Sequence, residues 1–173
     1  YAATGFNFYN INAGGATTQG IELEIGLALT ERLSIRLAGD WNDTELTKKG
    51  SDRAVALSAT SGGSVGNELI YAPNYSASLS VDYEFAPFRG WKIILHADRA
   101  RVAEQFTNSE NSLVIPSYEK TNARITARSP DERLRIALAI NNLTDEEILR
   151  NRTSGTFFWD RPRTIGLEVG WHM

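Results

Sequence analysis

The chain has 173 residues, 42% hydrophobic and 23% charged, with a formal net charge of −3; this is enough for one domain of ordinary globular composition. Mild acidity and the lack of a basic run interleaved with aromatics argue against nucleic acid as a partner. Cys is absent, which excludes a disulfide framework, a thiolate nucleophile and a Cys-ligated metal, and no stretch approaches the roughly 20 apolar residues of a membrane-spanning helix.

Barrel strands cross a membrane with alternating sequence, so the last exclusion leaves a membrane open. Tyr1 to Ile11 is read as an opening strand; Tyr1 to Tyr9 carry no basic n-region or apolar h-region, so an export signal is expected to lie upstream or to have been removed. Ile21, Leu23, Ile25, Leu27 and Leu29 alternate with Glu22, Glu24 and Gly26, which predicts a strand with one greasy face. After Thr30-Glu31-Arg32, the residues Leu33, Ile35, Leu37 and Trp41 alternate with Ser34, Arg36 and Asp40. The polar stretch from about Thr47 to Asn67, with four glycines, reads as a loop.

The next strand sets Tyr71, Tyr75, Ala77, Leu79, Val81, Tyr83 and Phe85 against Ser76, Ser78, Ser80, Asp82 and Glu84. Ala86 to Gly90 turns the chain, and Trp91, Ile93, Leu95 and Ala97 resume opposite Lys92, His96 and Asp98. A loop at about 107–116 leads to a strand over Tyr118 to Arg128, with Ala123, Ile125 and Ala127 on the greasy side. Leu134, Ile136, Leu138 and Ile140 follow a short turn at Ser129 to Glu132. After a loop at about 142–161, Ile165, Leu167, Val169, Trp171 and Met173 alternate with Thr164, Gly166, Glu168, Gly170 and His172.

The reading is all-β, with about eight antiparallel strands and connections that alternate short and long, as in a transmembrane barrel. Aromatics fall at two levels of the greasy face. Tyr83, Phe85, Phe88, Trp91 and Trp171 lie near the short turns, and Trp41, Tyr71, Tyr75 and Tyr118 near the long loops, as interfacial girdles would. Tyr75 and Tyr83 are eight residues apart; at about 3.3 Å per residue and a tilt of roughly 40° this spans about 20 Å, close to the height of a barrel's apolar band. The competing reading is a soluble sandwich, whose greasy face would pack on a second sheet.

Asn142-Leu143-Thr144-Asp145, followed by Pro162-Arg163-Thr164-Ile165-Gly166-Leu167-Glu168, resembles the C-terminal end of TonB-dependent outer-membrane receptors. Gln19-Gly20-Ile21-Glu22-Leu23-Glu24 and Tyr71-Ala72-Pro73-Asn74-Tyr75 are similar to earlier strand segments of the same barrels. The resemblance covers residues 16–173 and implies the C-terminal part of a barrel of about 22 strands, without the N-terminal plug. It implies a place in the bacterial outer membrane, contact with outer-membrane lipid, and recognition of the last strand by the barrel assembly machinery. It also implies TonB-dependent uptake of a nutrient ligand, often a ferric siderophore and sometimes haem, cobalamin or a glycan, with the TonB complex acting through the plug. No catalysis, metal or resident cofactor is expected. Such chains usually end in Phe or Trp; here Met173 fills that position and Trp171 is the nearest aromatic. A free-standing eight-stranded barrel with a structural or adhesive role is the alternative, and it would require the first and last strands to pair.

Gly62-Gly63-Ser64-Val65-Gly66 has the spacing of a nucleophile elbow but no helix signal after it. His96 and His172 lack an i, i+4 partner, which argues against a metal site. Glu22, Glu24, Arg36, Asp82, Arg124, Arg135 and Glu168 read as lumen-lining. Arg36, Arg124, Arg133 and Arg135 are expected to pair across strands with carboxylates such as Asp40, Asp82 and Glu84. Phe157, Phe158, Trp159 and Arg161 are the ligand-binding candidates, able to stack on a planar or cyclic ligand; a place at the lipid interface or packing on a neighbouring loop is the structural alternative. Tyr75, Tyr83, Trp91, Trp171 and Met173 are the interface and assembly candidates.

Overall fold

The computed structural model describes residues 14–49 and 65–172. Their strands are β1 (Gly14–Thr30), β2 (Leu33–Lys49), β3 (Tyr75–Glu84), β4 (Lys92–Val102), β5 (Gln105–Phe106), β6 (Val114–Ile115), β7 (Tyr118–Arg128), β8 (Leu134–Asn141), β9 (Leu149–Arg152), β10 (Phe157–Trp159) and β11 (Thr164–Trp171). Seven of them form one sheet in the order β1-β2-β3-β4-β7-β8-β11, and β5/β6 and β9/β10 are small separate ladders. Every pairing is antiparallel. The expected opening strand at 1–11, Met173, and residues 62–64 of the Gly-Ser motif lie outside the described residues.

One face of the large sheet carries an apolar band that crosses all seven strands. The hydrogen-bonded row through Leu167 continues through Leu138, Ile125, Leu95, Tyr83 and Leu33 and ends on Thr30. In β11 that row passes through the middle of the apolar run. In β1 it leaves the run, which occupies Ile21 to Leu29. A level greasy band therefore requires inclined strands, as barrel geometry demands. No second sheet covers this face among the described residues: Ile21 and Leu167 are each 70% exposed. A contiguous apolar surface of this size has to meet something other than water.

Short turns close one end of the sheet. Thr30 Oγ1 accepts the N–H groups of Arg32 and Leu33 at 3.1 and 3.0 Å. Phe88 and Trp91 exchange backbone hydrogen bonds around Arg89 (φ 51°) and Gly90 (φ 79°), the left-handed pair that a two-residue type I′ hairpin needs. At the third turn Ser129 Oγ accepts the Leu134 N–H at 2.9 Å and donates to Asp131 at 2.5 Å. That bond, with the Arg133 N–H, holds the Asp131 carboxyl below the usual carboxylate range.

A Cβ on Gly90 would lie 3.0 Å from Pro130 Cγ, so two turns abut here. Gly90→Val combines a forbidden φ with this clash and is expected to cost about 1–3 kcal/mol. A lowered urea midpoint of the heat-modifiable folded band tests this, and Gly90→Asn, which tolerates the left-handed region, should lose less.

At the other end, β1 and β2 run well past Trp41 to Gly14 and Lys49, beyond the expected strand limits. Tyr71 departs from expectation. It precedes β3 with φ 55°, and its hydroxyl donates to Asn151 at 2.9 Å instead of continuing the aromatic row of Tyr75. The fully buried large side chains, Ile115, Ile148 and Asn142, lie under the long connections, and not on the apolar face of the sheet.

Candidate functional site

The opposite face of the sheet carries Glu22, Glu24, Arg36, Asp82, Arg124, Arg135 and Glu168. Their pairing follows register. Arg36 stands opposite Gly26 and Ser80 and makes no ion pair among the described residues, against the expected contact with a carboxylate. Asp40 accepts a hydrogen bond from Ser76. Asp82 meets His96 Nδ1 at 2.8 Å, while His96 Nε2 lies 3.5 Å from Asp98, and Glu84 pairs with Lys92 at 2.9 Å. The expected pairing of these carboxylates with arginines is therefore corrected, since each has a nearer partner on the adjoining strand.

Arg124 and Arg135 instead converge on Glu168. Arg124 grips it with both terminal nitrogens, Nη1 at 3.0 Å, and Arg135 Nη1 lies 3.5 Å away. Arg124 on β7 and Glu168 on β11 are separated by β8, whose Ala137 and Ala139 lie between them in register. Two small side chains leave a channel across which the guanidinium reaches, and Ala137 is buried beneath it. Glu22 and Glu24 sit beside Asp40, opposite Glu22, and make no ion pair among the described residues. Arg133 turns back toward Asp131 at 4.0 Å.

Above this wall the long connections fold over the polar face. Tyr118, expected in the outer aromatic level, lies on the polar face, because it shares parity with Asn122 and Arg124; its hydroxyl accepts from Arg150 at 3.1 Å. Lys120, two residues on, holds Asp160 at 2.7 Å. Thr107 Oγ1 donates to the Arg152 carbonyl at 2.6 Å. These contacts and the Tyr71–Asn151 bond clamp the β9/β10 hairpin to its neighbours.

The hairpin carries the candidate aromatics. Phe157, Phe158 and Trp159 form β10 and are all more than half exposed. The Arg152 guanidinium lies 5.4 Å from the Phe157 ring centroid, a cation–π distance. Trp159 borders a cleft of about 470 Å³ with Asp145, Glu146, Glu147, Ile148 and Pro162. Arg161 is exposed beside it, and its carbonyl lies 3.5 Å from Asn142 Nδ2.

Sequence reasoning missed the hub beneath this hairpin. Asn142 is 1% exposed and left-handed (φ 55°). Its amide donates to the Glu146 carbonyl and accepts the Glu146 N–H, each at 2.9 Å, and its backbone N–H reaches Asn122 Oδ1 at 3.0 Å. Asp145, also left-handed, accepts the Arg163 N–H at 2.8 Å. The signal was the Asn itself, the residue that tolerates this conformation while bonding locally.

The Asp160 carboxyl is held below the usual range, first by the Lys120 hydrogen bond and then by the Arg161 N–H, against the opposing effect of burial. A depressed carboxylate stabilises above the unfolded value of about 3.9 and loses that contribution as pH falls through its folded value. The docking of the 142–163 connection is therefore expected to weaken as pH falls below about 4. Protection of its amides relative to the unstructured chain at the same pH should fall there, and Asp160→Asn should show the lower protection already at neutral pH; equal protection in both proteins at pH 7 would contradict it.

Residues 1–143 match the family described as TonB dependent receptor-like, beta-barrel. The chain is 26% identical over 169 residues, 94% of its length, to a ferrioxamine receptor of Yersinia enterocolitica, of which it covers 22%. It is 31% identical over 144 residues, 79% of its length, to a metal-pseudopaline receptor of Pseudomonas aeruginosa, of which it covers 18%. The chain thus spans about a fifth of these relatives. The fold is similar to that of the ferric yersiniabactin uptake receptor of Yersinia pestis, with a TM-score of 0.77 at 20% identity over 92% of this chain and 24% of that one.

Proposed function

The chain belongs to the TonB dependent receptor-like β-barrel family, and from that premise we propose that it is the C-terminal wall segment of a bacterial outer-membrane receptor. The proposed cargo is a scarce metal chelate, foremost a ferric siderophore, moved under force delivered by TonB. The observation that carries the reading is the two-faced sheet: an apolar side with interfacial aromatics for lipid and a charged side for a wet lumen. Relatives named for ferrioxamine, metal-pseudopaline and ferric yersiniabactin support the cargo class.

In this reading the short turns face the periplasm and the β9/β10 hairpin faces the medium. Glu22, Glu24, Arg36, Asp82, Arg124, Arg135 and Glu168 line the lumen, which keeps their charges out of hydrocarbon. Phe157, Phe158, Trp159 and Arg161 present stacking surface and hydrogen-bond donors to a chelate at the mouth. Tyr75, Tyr83, Trp91 and Trp171 anchor the wall at the two interfaces, and the final strand is what the assembly machinery recognises. No catalytic step is assigned to the chain.

The test is uptake of iron-55 by cells whose own gene is deleted, complemented with the full-length protein and supplied with ferric ferrioxamine or related chelates. Uptake should require an energised inner membrane and TonB. Replacing Phe157, Phe158 and Trp159 together by Ala should weaken binding about tenfold or more while heat-modifiable folding persists. Energy-independent uptake, or unchanged binding of every chelate by the triple variant, counts against the proposed role or site respectively.

A further inference from the structure

Within the apolar band, charge interrupts the face on β4 and β7. On β4, Ile93, Leu95 and Ala97 continue on the same side into Arg99 and Arg101, and across from these on β7 stand Thr121 and Glu119. The apolar faces of β1 from Ile21 to Leu29, β2 from Leu33 to Trp41, β3, β8 and β11 carry no charge. Arg99 and Arg101 are row mates of Leu79 and Ala77, so they lie among lipid-facing residues and not in the lumen.

Their height is marked by Tyr75, whose ring centroid is 5.9 Å from the Arg101 guanidinium carbon; this is the aromatic level next to the long connections. Glu119 binds both arginines, Arg101 at 3.3 Å. Two cations against one anion leave a single positive surplus, and the Arg99 and Arg101 side chains remain 60% and 54% exposed. Each guanidinium has five N–H donors, and one carboxylate cannot use them all. Arg is costly at a barrel's midplane and nearly free at the interface, where its planar fork matches a phosphate.

We propose that Arg99 and Arg101, spaced by Glu119, clamp the phosphate of an anionic outer-leaflet lipid headgroup. A lipid fits better than a free phosphate because the stripe below the clamp, Ala97, Ala123, Leu95 and Ile125, gives acyl chains a shallow apolar bed leading directly to the guanidiniums. The inference rests on the barrel reading above.

The experiment extracts the full-length receptor from outer membranes in mild detergent and measures bound phosphorylated lipid by native mass spectrometry. The Arg99→Leu/Arg101→Leu double variant extends the apolar stripe, so it should fold, which heat-modifiable migration checks. It should retain about tenfold less lipid. Glu119→Gln removes the competing carboxylate and should retain two- to threefold more. Unchanged retention in both variants shows that the trio only pairs internally and overturns the proposal, as does displacement of the bound species by millimolar inorganic phosphate. A wild-type protein without heat-modifiable migration overturns the barrel reading, and the clamp with it.

Discussion

Leu167→Arg is expected to abolish accumulation of folded receptor, whereas Glu168→Gln, one residue along the same strand, should fold. Leu167 sits mid-band on β11, 70% exposed on the apolar face and in register with Leu138. In water an Arg at so open a position would be nearly neutral. In hydrocarbon it costs about 2–4 kcal/mol at the midplane, a large part of the stability of an ordinary domain. Glu168→Gln breaks the contacts with Arg124 and Arg135, but these are partly exposed, and such pairs contribute about 0–1 kcal/mol. The measurement is the heat-modifiable fraction in isolated outer membranes. Normal folding of Leu167→Arg would show that this face does not meet lipid.

Asn142→Leu should have the second largest effect, about 2–4 kcal/mol of local stability. It places a branched side chain at φ 55° and removes the amide that satisfies the Glu146 backbone in a site with 1% exposure. Two of its bonds tie the 142–163 connection to itself, and a third joins it to Asn122 on β7. Its failure should therefore release Phe157, Phe158 and Trp159 from their fixed placement while the wall stays intact. The expected readout is protease cleavage within 142–163 and loss of chelate binding, with heat-modifiable migration preserved. Asn142→Asp, which keeps the acceptor and the left-handed tolerance, should retain more of both. A protected loop in the Leu variant would remove Asn142 from this role.

The strands were legible where two environments alternate. Greasy and polar residues take turns along β3, β8 and β11, so period two locates them directly. The same rule failed on β1 and β2 beyond Trp41. There Thr17, Gln19, Asp43 and Glu45 are polar on a face that was apolar below, and the hydrogen-bond ladder continues through Gly14 and Lys49 without the pattern that announced it. The charged face was readable as a face but not as a set of pairs. Arg124 finds Glu168 across an intervening strand because Ala137 and Ala139 are small, a relation that needs the register of three strands. Arg99 and Arg101 follow the greasy parity of Leu95 and Ala97, so their placement was present in the sequence; a pattern search that stops at the last apolar residue passes over them. Asn142 was visible as a residue that tolerates the left-handed region but not as a hub, since its importance comes from burial that the chain acquires only on folding.

The margins of the sheet bear on how such a wall enters a membrane. β1 and β11 have 17 and 8 residues, and among the described residues each has a ladder partner on one flank only. In hydrocarbon each orphaned peptide group costs several kcal/mol, so these borders cannot rest bare against acyl chains, and their unequal heights make them poor matches for each other. In the proposed barrel both borders must therefore find a ladder partner as the sheet enters the bilayer, which couples its insertion to the closing of the ring.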